Sequence, residues 1–241
     1  INELLTFSKI EMKQMHISVR KGDIMHFLEE LSHIFDIVAG EREIDFIVSL
    51  EDTKEEVWFS PSKLERILYN LLSNAFKYTQ PGGYVRLSAK LIKEEKETMV
   101  QISVKDSGRG IPKDVQEQIF ESYYQVEKRD HREGFGLGLS LTRSLIHMHK
   151  GEIRVESEVN KGSDFIVTLN VSEDAYAPDE RSSENITTEE IQKYNQRIKE
   201  TIELIPEKLT NKEKDSGRES IMIVEDNKEM NDYLASIFGE K

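Results

Sequence analysis

Asn70 and Asn74 stand one helical turn apart in Asn70-Leu71-Leu72-Ser73-Asn74-Ala75-Phe76-Lys77-Tyr78-Thr79, so a helix through this segment presents both amides on one face. Neutral amide oxygens suit a magnesium ion, which takes few protein ligands and keeps waters and substrate phosphates around it. Lys77 adds a cation within reach of the same phosphates, with Tyr78 beside it. A second segment, Asp106-Ser107-Gly108-Arg109-Gly110-Ile111, closes an alternating apolar run. Its glycines let the backbone turn sharply and approach a ligand. An ionised Asp106 only accepts hydrogen bonds and so suits an exocyclic amine such as that of adenine. A third segment, Gly134-Phe135-Gly136-Leu137-Gly138-Leu139, runs straight into a helical pattern. Backbone N–H groups at a helix start face an anion readily, and the helix dipole favours it there. The segment lacks the Lys-Ser/Thr pair of a P-loop, and its glycine spacing departs from Gly-x-Gly-x-x-Gly. Taken singly, each segment also has a plainer reading: a solvated helix face, a tight turn, a structural loop.

These segments need elements to hold them. Ser60-Pro61 opens a helix, a capping hydroxyl followed by a first-turn proline, and Leu64, Ile67, Leu68, Leu71 and Leu72 continue its apolar face. Pro81-Gly82-Gly83 stops it. Alternation predicts strands over 84–92 and 98–105, joined as a hairpin by the charged stretch 93–97. A helix is predicted over 136–149, then strands over 153–158 and 165–171 around Asn160-Lys161-Gly162. Upstream, a strand is expected at 16–20, a helix capped by Asp23 and running through Phe27, Leu28, Leu31 and Ile34, and strands at 44–50 and 57–60. This order points to an α+β fold, a two-layer α/β sandwich with helices on one face of a mixed, mostly antiparallel sheet.

A content of 37% hydrophobic and 33% charged residues fits a globular chain. The formal net charge of −13 argues against a broad nucleic-acid surface, which needs clustered Lys and Arg. A polyphosphate ligand would therefore need local compensation from a metal, a helix N-terminus or a few placed cations. Cysteine is absent, which rules out disulfides and thiolate metal sites. No apolar run reaches membrane-spanning length and no signal pattern opens the chain. A first residue of Ile1 is expected of a segment excised from something longer. One main domain is expected over 14–172, preceded by a helical stub at 1–13. An acidic linker with a helix-like patch at 188–204 is expected over 173–219. The final stretch, 220–241, holds the buried-type strand Ile221-Met222-Ile223-Val224-Glu225-Asp226 and a helical pattern up to Phe238.

The order of the segments identifies them. The asparagine helix, the strand-terminal Asp-Gly-Gly turn, the aromatic segment Ile119-Phe120-Glu121-Ser122-Tyr123-Tyr124, the glycine-rich helix start and Gly162-Ser163 follow one another as the N, G1, F, G2 and terminal glycine boxes of sensor histidine kinases do. From about residue 19 to 171 the chain resembles the catalytic domain of that family, whose Bergerat ATP-binding fold is shared with gyrase-type ATPases.

The resemblance implies ATP and Mg²⁺ as ligands. Asn74 would be the principal metal ligand, with Asn70 assisting and Lys77 on the phosphates. Asp106 would read the adenine amine, with Gly110 beside the ring and Ser163 acting through water. Gly136 and Gly138 would cradle phosphates, and Tyr78, Gly108, Ile111, Gly134, Leu137 and Leu139 complete the ATP-binding set. The stretch 121–135 would be a lid whose Lys128, Arg129, His131 and Arg132 sense the γ-phosphate. Gln125 stands where many relatives place an arginine, so the identity of the lid's phosphate-contacting cation stays open.

None of the six histidines is followed at once by an acidic residue, as a phosphoacceptor would be, so the acceptor is expected upstream of Ile1. Residues 1–13, with Phe7-Ser8-Lys9-Ile10-Glu11, resemble the tail of the family's dimerising hairpin, and 221–226 resembles the first strand of a receiver domain. Glu225 and Asp226 would be that receiver's acidic pair, with its phosphorylated aspartate beyond Lys241. The implied parent is a hybrid kinase, dimeric through its hairpin, with this piece as a cytoplasmic domain; inner-membrane anchoring of the parent and a monomeric fragment are compatible with it. A gyrase- or chaperone-like ATPase is the main alternative. Those hydrolases carry a general-base glutamate where Asn70 stands, and an amide cannot accept the proton of water. A nucleotide-binding module without turnover is the third reading.

Overall fold

The computed structural model describes residues 15–124 and 136–203. The expected hairpin tail at 1–13, the lid residues 125–135 and the receiver-like stretch 220–241 lie outside the described residues.

Strand β1 (Arg20–Asp23) runs directly into helix α1 (Ile24–Ser32), where the Asp23 carboxylate accepts the His26 N–H at 3.0 Å and caps the helix. The strand expected at 16–20 is displaced. Val19 forms an isolated parallel bridge to Arg181, while pairing with β3 (Glu56–Phe59), Arg20 opposite Phe59, sets where the strand begins. The helix expected to run through Ile34 breaks at His33, and a second helix, α2 (Ile34–Arg42), turns Phe35, Val38 and Ala39 into the core. Strand β2 (Asp45–Leu50) follows. Helix α3 (Pro61–Tyr78) opens at Ser60-Pro61 with proline in its first turn as the sequence predicts, but the Ser60 hydroxyl makes no capping hydrogen bond. Strands β4 (Tyr84–Lys93) and β5 (Thr98–Asp106) form the hairpin, and helix α4 (Gly138–Met148) leads into β6 (Glu152–Glu158) and β7 (Gly162–Asn170).

The main sheet has the order β2-β4-β5-β7-β6, parallel between β2 and β4 and antiparallel elsewhere. Alternation sorts its faces. Val85, Leu87, Ala89, Val100, Ile102, Val104, Phe165, Val167 and Leu169 are buried, and they join one core with Phe27, Leu28, Leu64, Ile67, Leu68, Leu71, Leu72, Leu141 and Leu145 of the helices. Each of the larger side chains is worth roughly 1.5–3 kcal/mol on burial. Arg86, Lys90 and Lys105 point to the other, solvated face. The fold is thus the expected two-layer α/β sandwich. Among the described residues no helix is long and apolar enough to cross a membrane.

Composition predicts a linker from residue 173, but the described part of that stretch packs on the domain. The Tyr176 hydroxyl donates to the Asn170 carbonyl. Helix α5 (Thr188–Glu203) buries Ile191, Tyr194 and Ile198, with the Tyr194 ring edge-on to Phe27 at 5.9 Å and Glu190 paired with Arg20. These three apolar residues recur at helical spacing and make a stripe that the acidic average of the segment conceals.

His149 ties the end of α4 to the start of α3 within the helical layer. Its Nε2 accepts the Ser60 N–H at 3.2 Å, and its Nδ1–H donates to the Leu145 carbonyl at 2.9 Å, so one donor and one acceptor are both used by the neutral ring. Burial, aided by Lys63 and Lys150, pushes its pKa down to about 4. The unfolded chain, with an ordinary histidine pKa, binds the proton first. The contribution of His149 is therefore whole above about pH 6.5 and falls as pH drops toward 4. Urea unfolding at pH 7.5 and 4.5 is expected to show roughly 2–3 kcal/mol more acid destabilisation in wild type than in His149→Gln. Parallel pH dependence in the two proteins would contradict this.

Candidate functional site

Helix α3 buries Leu64, Ile67, Leu68, Leu71, Leu72, Ala75 and Phe76, which leaves Asn70 and Asn74 half-buried along its flank and Lys77 exposed near its end. Helix α4 begins against that flank. A β-carbon at Gly138 would stand 2.5 Å from Asn70 Oδ1, so only glycine lets the first residue of α4 come this close to α3. The preceding cap position is Leu137, whose buried side chain cannot accept the first-turn N–H groups. Gly136, at φ +67°, turns the chain into that start, and its carbonyl accepts the Tyr123 N–H at 2.9 Å. Leu139 rests half-buried on the core.

Asp106 ends the inward-facing row Val100, Ile102, Val104 and is only 4% exposed. It accepts the Gly108 N–H at 2.8 Å and the backbone N–H of Ser163, its register partner on β7. Burial still holds its carboxyl pKa above the ordinary aspartate value, with nearby Asp164 acting the same way and the two N–H donors opposing. Glycine is required around it. A β-carbon at Gly162, where φ is +101°, would sit 1.9 Å from the Asp106 carbonyl oxygen, and one at Gly108 would sit 2.4 Å from the carbonyl oxygen of Tyr78. The turn after β5 is thereby pressed onto the end of α3. There the Arg109 guanidinium lies 4.5 Å and the Lys77 ammonium 5.1 Å from the centre of the Tyr78 ring. Gly110, at φ +67°, packs on the carbonyl of Glu158. The Ile111 N–H donates to Ser157 Oγ at 2.8 Å, and that hydroxyl meets Ser163 Oγ at 3.0 Å.

The expected site residues thus fall into two touching groups. One is Asn70 with Gly138; the other is Tyr78 with Gly108, continuing through Asp106 to Gly162 and Ser163. The same helix, α3, carries a member of each. Lys128, Arg129, His131, Arg132 and Gly134 lie outside the described residues. Two side chains that hydrogen-bond to these residues are not marked in the sequence. Ser157 reads as an ordinary strand residue, and Thr142, whose Oγ1 accepts from Asn70 Nδ2 at 2.7 Å, reads as an ordinary helical one; no local spacing marks either. Among the described residues no group of three or more His, Asp or Glu could hold a metal. Amide oxygens beside a glycine helix start fit Mg²⁺, the ion that keeps phosphates and waters for most of its shell.

Residues 59–173 match the family described as histidine kinase-, DNA gyrase B-, and HSP90-like ATPase. Over 98% of its length the chain is 30% identical to histidine kinase P4 of Formosa agariphila, and over 72% it is 34% identical to the sensor histidine kinase WalK of Bacillus subtilis. The chain belongs to this family as a histidine kinase catalytic domain. It spans 17% and 28% of those two relatives, well under half of either. The catalytic domain superposes on full-length ShkA, crystallised in complex with AMPPNP, with a TM-score of 0.62 and 26% identity, over 71% of this chain and 35% of that one. The nucleotide-free catalytic domain of histidine kinase ThkA matches with a TM-score of 0.56 and 25% identity, over 66% of this chain and all of that one. The acidic helix α5 begins beyond the family match.

Proposed function

We propose that this catalytic domain binds Mg-ATP between α3, the 106–111 turn and the start of α4. In its parent it donates the γ-phosphoryl group to a histidine on a helical hairpin, for relay to a receiver aspartate in two-component signalling. The observation that carries the reading is the buried Asp106 carboxylate, held at the end of an otherwise apolar strand row at an energetic penalty that the fold alone does not require. Asp106 accepts the adenine amine. Asn74 and Asn70 would hold Mg²⁺, which supplies neutralisation of the phosphate charge, and the open N–H groups of α4 face the phosphates. Ser163 and Ser157 fix the carboxylate's side of the pocket. The domain's share is positioning and charge stabilisation, with the nucleophile brought by the acceptor histidine. ATP as substrate places the domain on the cytoplasmic side.

Asn70 sets this apart from the hydrolases of the family, because an amide cannot act as general base toward water. The full-length parent given γ-labelled Mg-ATP is expected to take up acid-labile, alkali-stable label, and Asn74→Ala is expected to abolish it. Multiple-turnover hydrolysis by the domain alone at about 1 s⁻¹ or faster would favour the ATPase reading instead.

A further inference from the structure

The hydroxyl groups of α4 do different things. Ser140 Oγ donates to the Leu137 carbonyl at 2.9 Å and Ser144 Oγ to the Ser140 carbonyl at 3.0 Å, so both bond within their own helix. Thr142 Oγ1 instead receives Asn70 Nδ2 from α3, across 72 residues of sequence, at 2.7 Å. Thr142 is 1% exposed, on a helix whose Leu141, Leu145 and Ile146 are buried as well, and a valine there has nearly the same volume. What its hydroxyl adds is the bond to Asn70. The opposite end of that amide, Oδ1, is the atom nearest the Gly138 position, at 2.5 Å against 3.3 Å for Nδ2. Gly138 and Thr142 are one turn apart, so a single face of α4 both anchors the amide and receives it.

We infer that Thr142 is a positioning residue for the magnesium nucleotide. Side-chain amides rotate freely about their last torsion unless a partner holds them. Thr142 holds the nitrogen end of Asn70 inside the helix contact and so presents the oxygen end at the glycine start, the end that a cation can use. The inference rests on the reading that Asn70 assists the metal.

Calorimetric titration of ATP, with and without magnesium, into wild type, Thr142→Val, Thr142→Ser and Asn74→Ala tests it, with melting curves of the unliganded proteins alongside. Thr142→Val is expected to lose about 10-fold in affinity with magnesium and to stay within about twofold of wild type without it. Thr142→Ser restores the hydroxyl and is expected to bind as wild type does. Thr142→Val binding as wild type with magnesium, an equal loss with and without the metal, or a serine variant as weak as the valine one would each overturn the inference. If Asn74→Ala loses metal dependence while Thr142→Val keeps it, the metal reading stands and the positioning role falls. A wild type indifferent to magnesium sinks both.

Discussion

Asp106→Asn is expected to weaken ATP binding about 100-fold while leaving the unliganded domain at least as stable as wild type at neutral pH. The two halves of this expectation have one cause. Asp106 is buried, and burial raises its folded-state pKa above the unfolded value. A group shifted in that direction favours the fold below its unfolded pKa and loses that contribution as pH rises through the folded pKa, so at pH 7 the ionised carboxylate is a cost to the empty domain. The amide escapes that cost, and its oxygen can accept both the Gly108 and the Ser163 N–H. Its other end becomes a donor, and it meets the adenine amine, which is also a donor. A charge-assisted bond is lost and two donors are opposed. Calorimetry with Mg-ATP and a melting curve in its absence read the two halves separately. Undiminished affinity would remove the adenine role of Asp106, and a large fall in melting temperature would mean that the ionised carboxylate supports the fold.

Tyr194→Ala is expected to destabilise the domain by about 3–5 kcal/mol, the range for deleting a large buried aromatic, and to lower its melting temperature by roughly 10 °C. Tyr194 is 4% exposed and packs edge-on against Phe27. Its hydroxyl donates to Glu190 at 3.1 Å, and Glu190 pairs with Arg20 on β1. The truncation therefore opens a cavity between α5 and α1 and removes a partner from a half-buried ion pair. Tyr194→Phe separates these effects by keeping the ring. In a solvated linker the same substitution would cost within about 0.5 kcal/mol. A melting temperature unchanged to within about a degree would show that α5 adds nothing to the stability of the domain.

The parts of this fold that could be read from sequence are those governed by local periodicity. The inward row Val100, Ile102, Val104 carries Asp106 to the core side by alternation alone, and the Leu64 to Leu72 pattern places Asn70 and Asn74 on the flank of a helix. Elsewhere tertiary contact decided the outcome. No glycine or proline marks the break at His33, and the residue itself, at φ −56° and ψ −26°, lies in the helical region. The end of α2 carries Glu43 at φ +56° in place of the glycine that usually signals such a stop. The docking of α5 was hidden because Ile191, Tyr194 and Ile198 are outnumbered by acidic and polar neighbours. Thr142 is the clearest case in the site itself, because its function lies in one hydrogen bond to a distant helix. The closeness of Gly138 to Asn70 is likewise a fact of packing, although the glycine itself was conspicuous in sequence.

Backbone amide exchange, mapped along the domain with and without Mg-ATP, bears most directly on the claim that α3, the turn after β5 and the start of α4 enclose one nucleotide. The account expects slowed exchange at 70–79, 106–111 and 136–142 together, with α5 unaffected. Protection limited to one of these segments, or centred on the β1–β3 end of the domain, would contradict it.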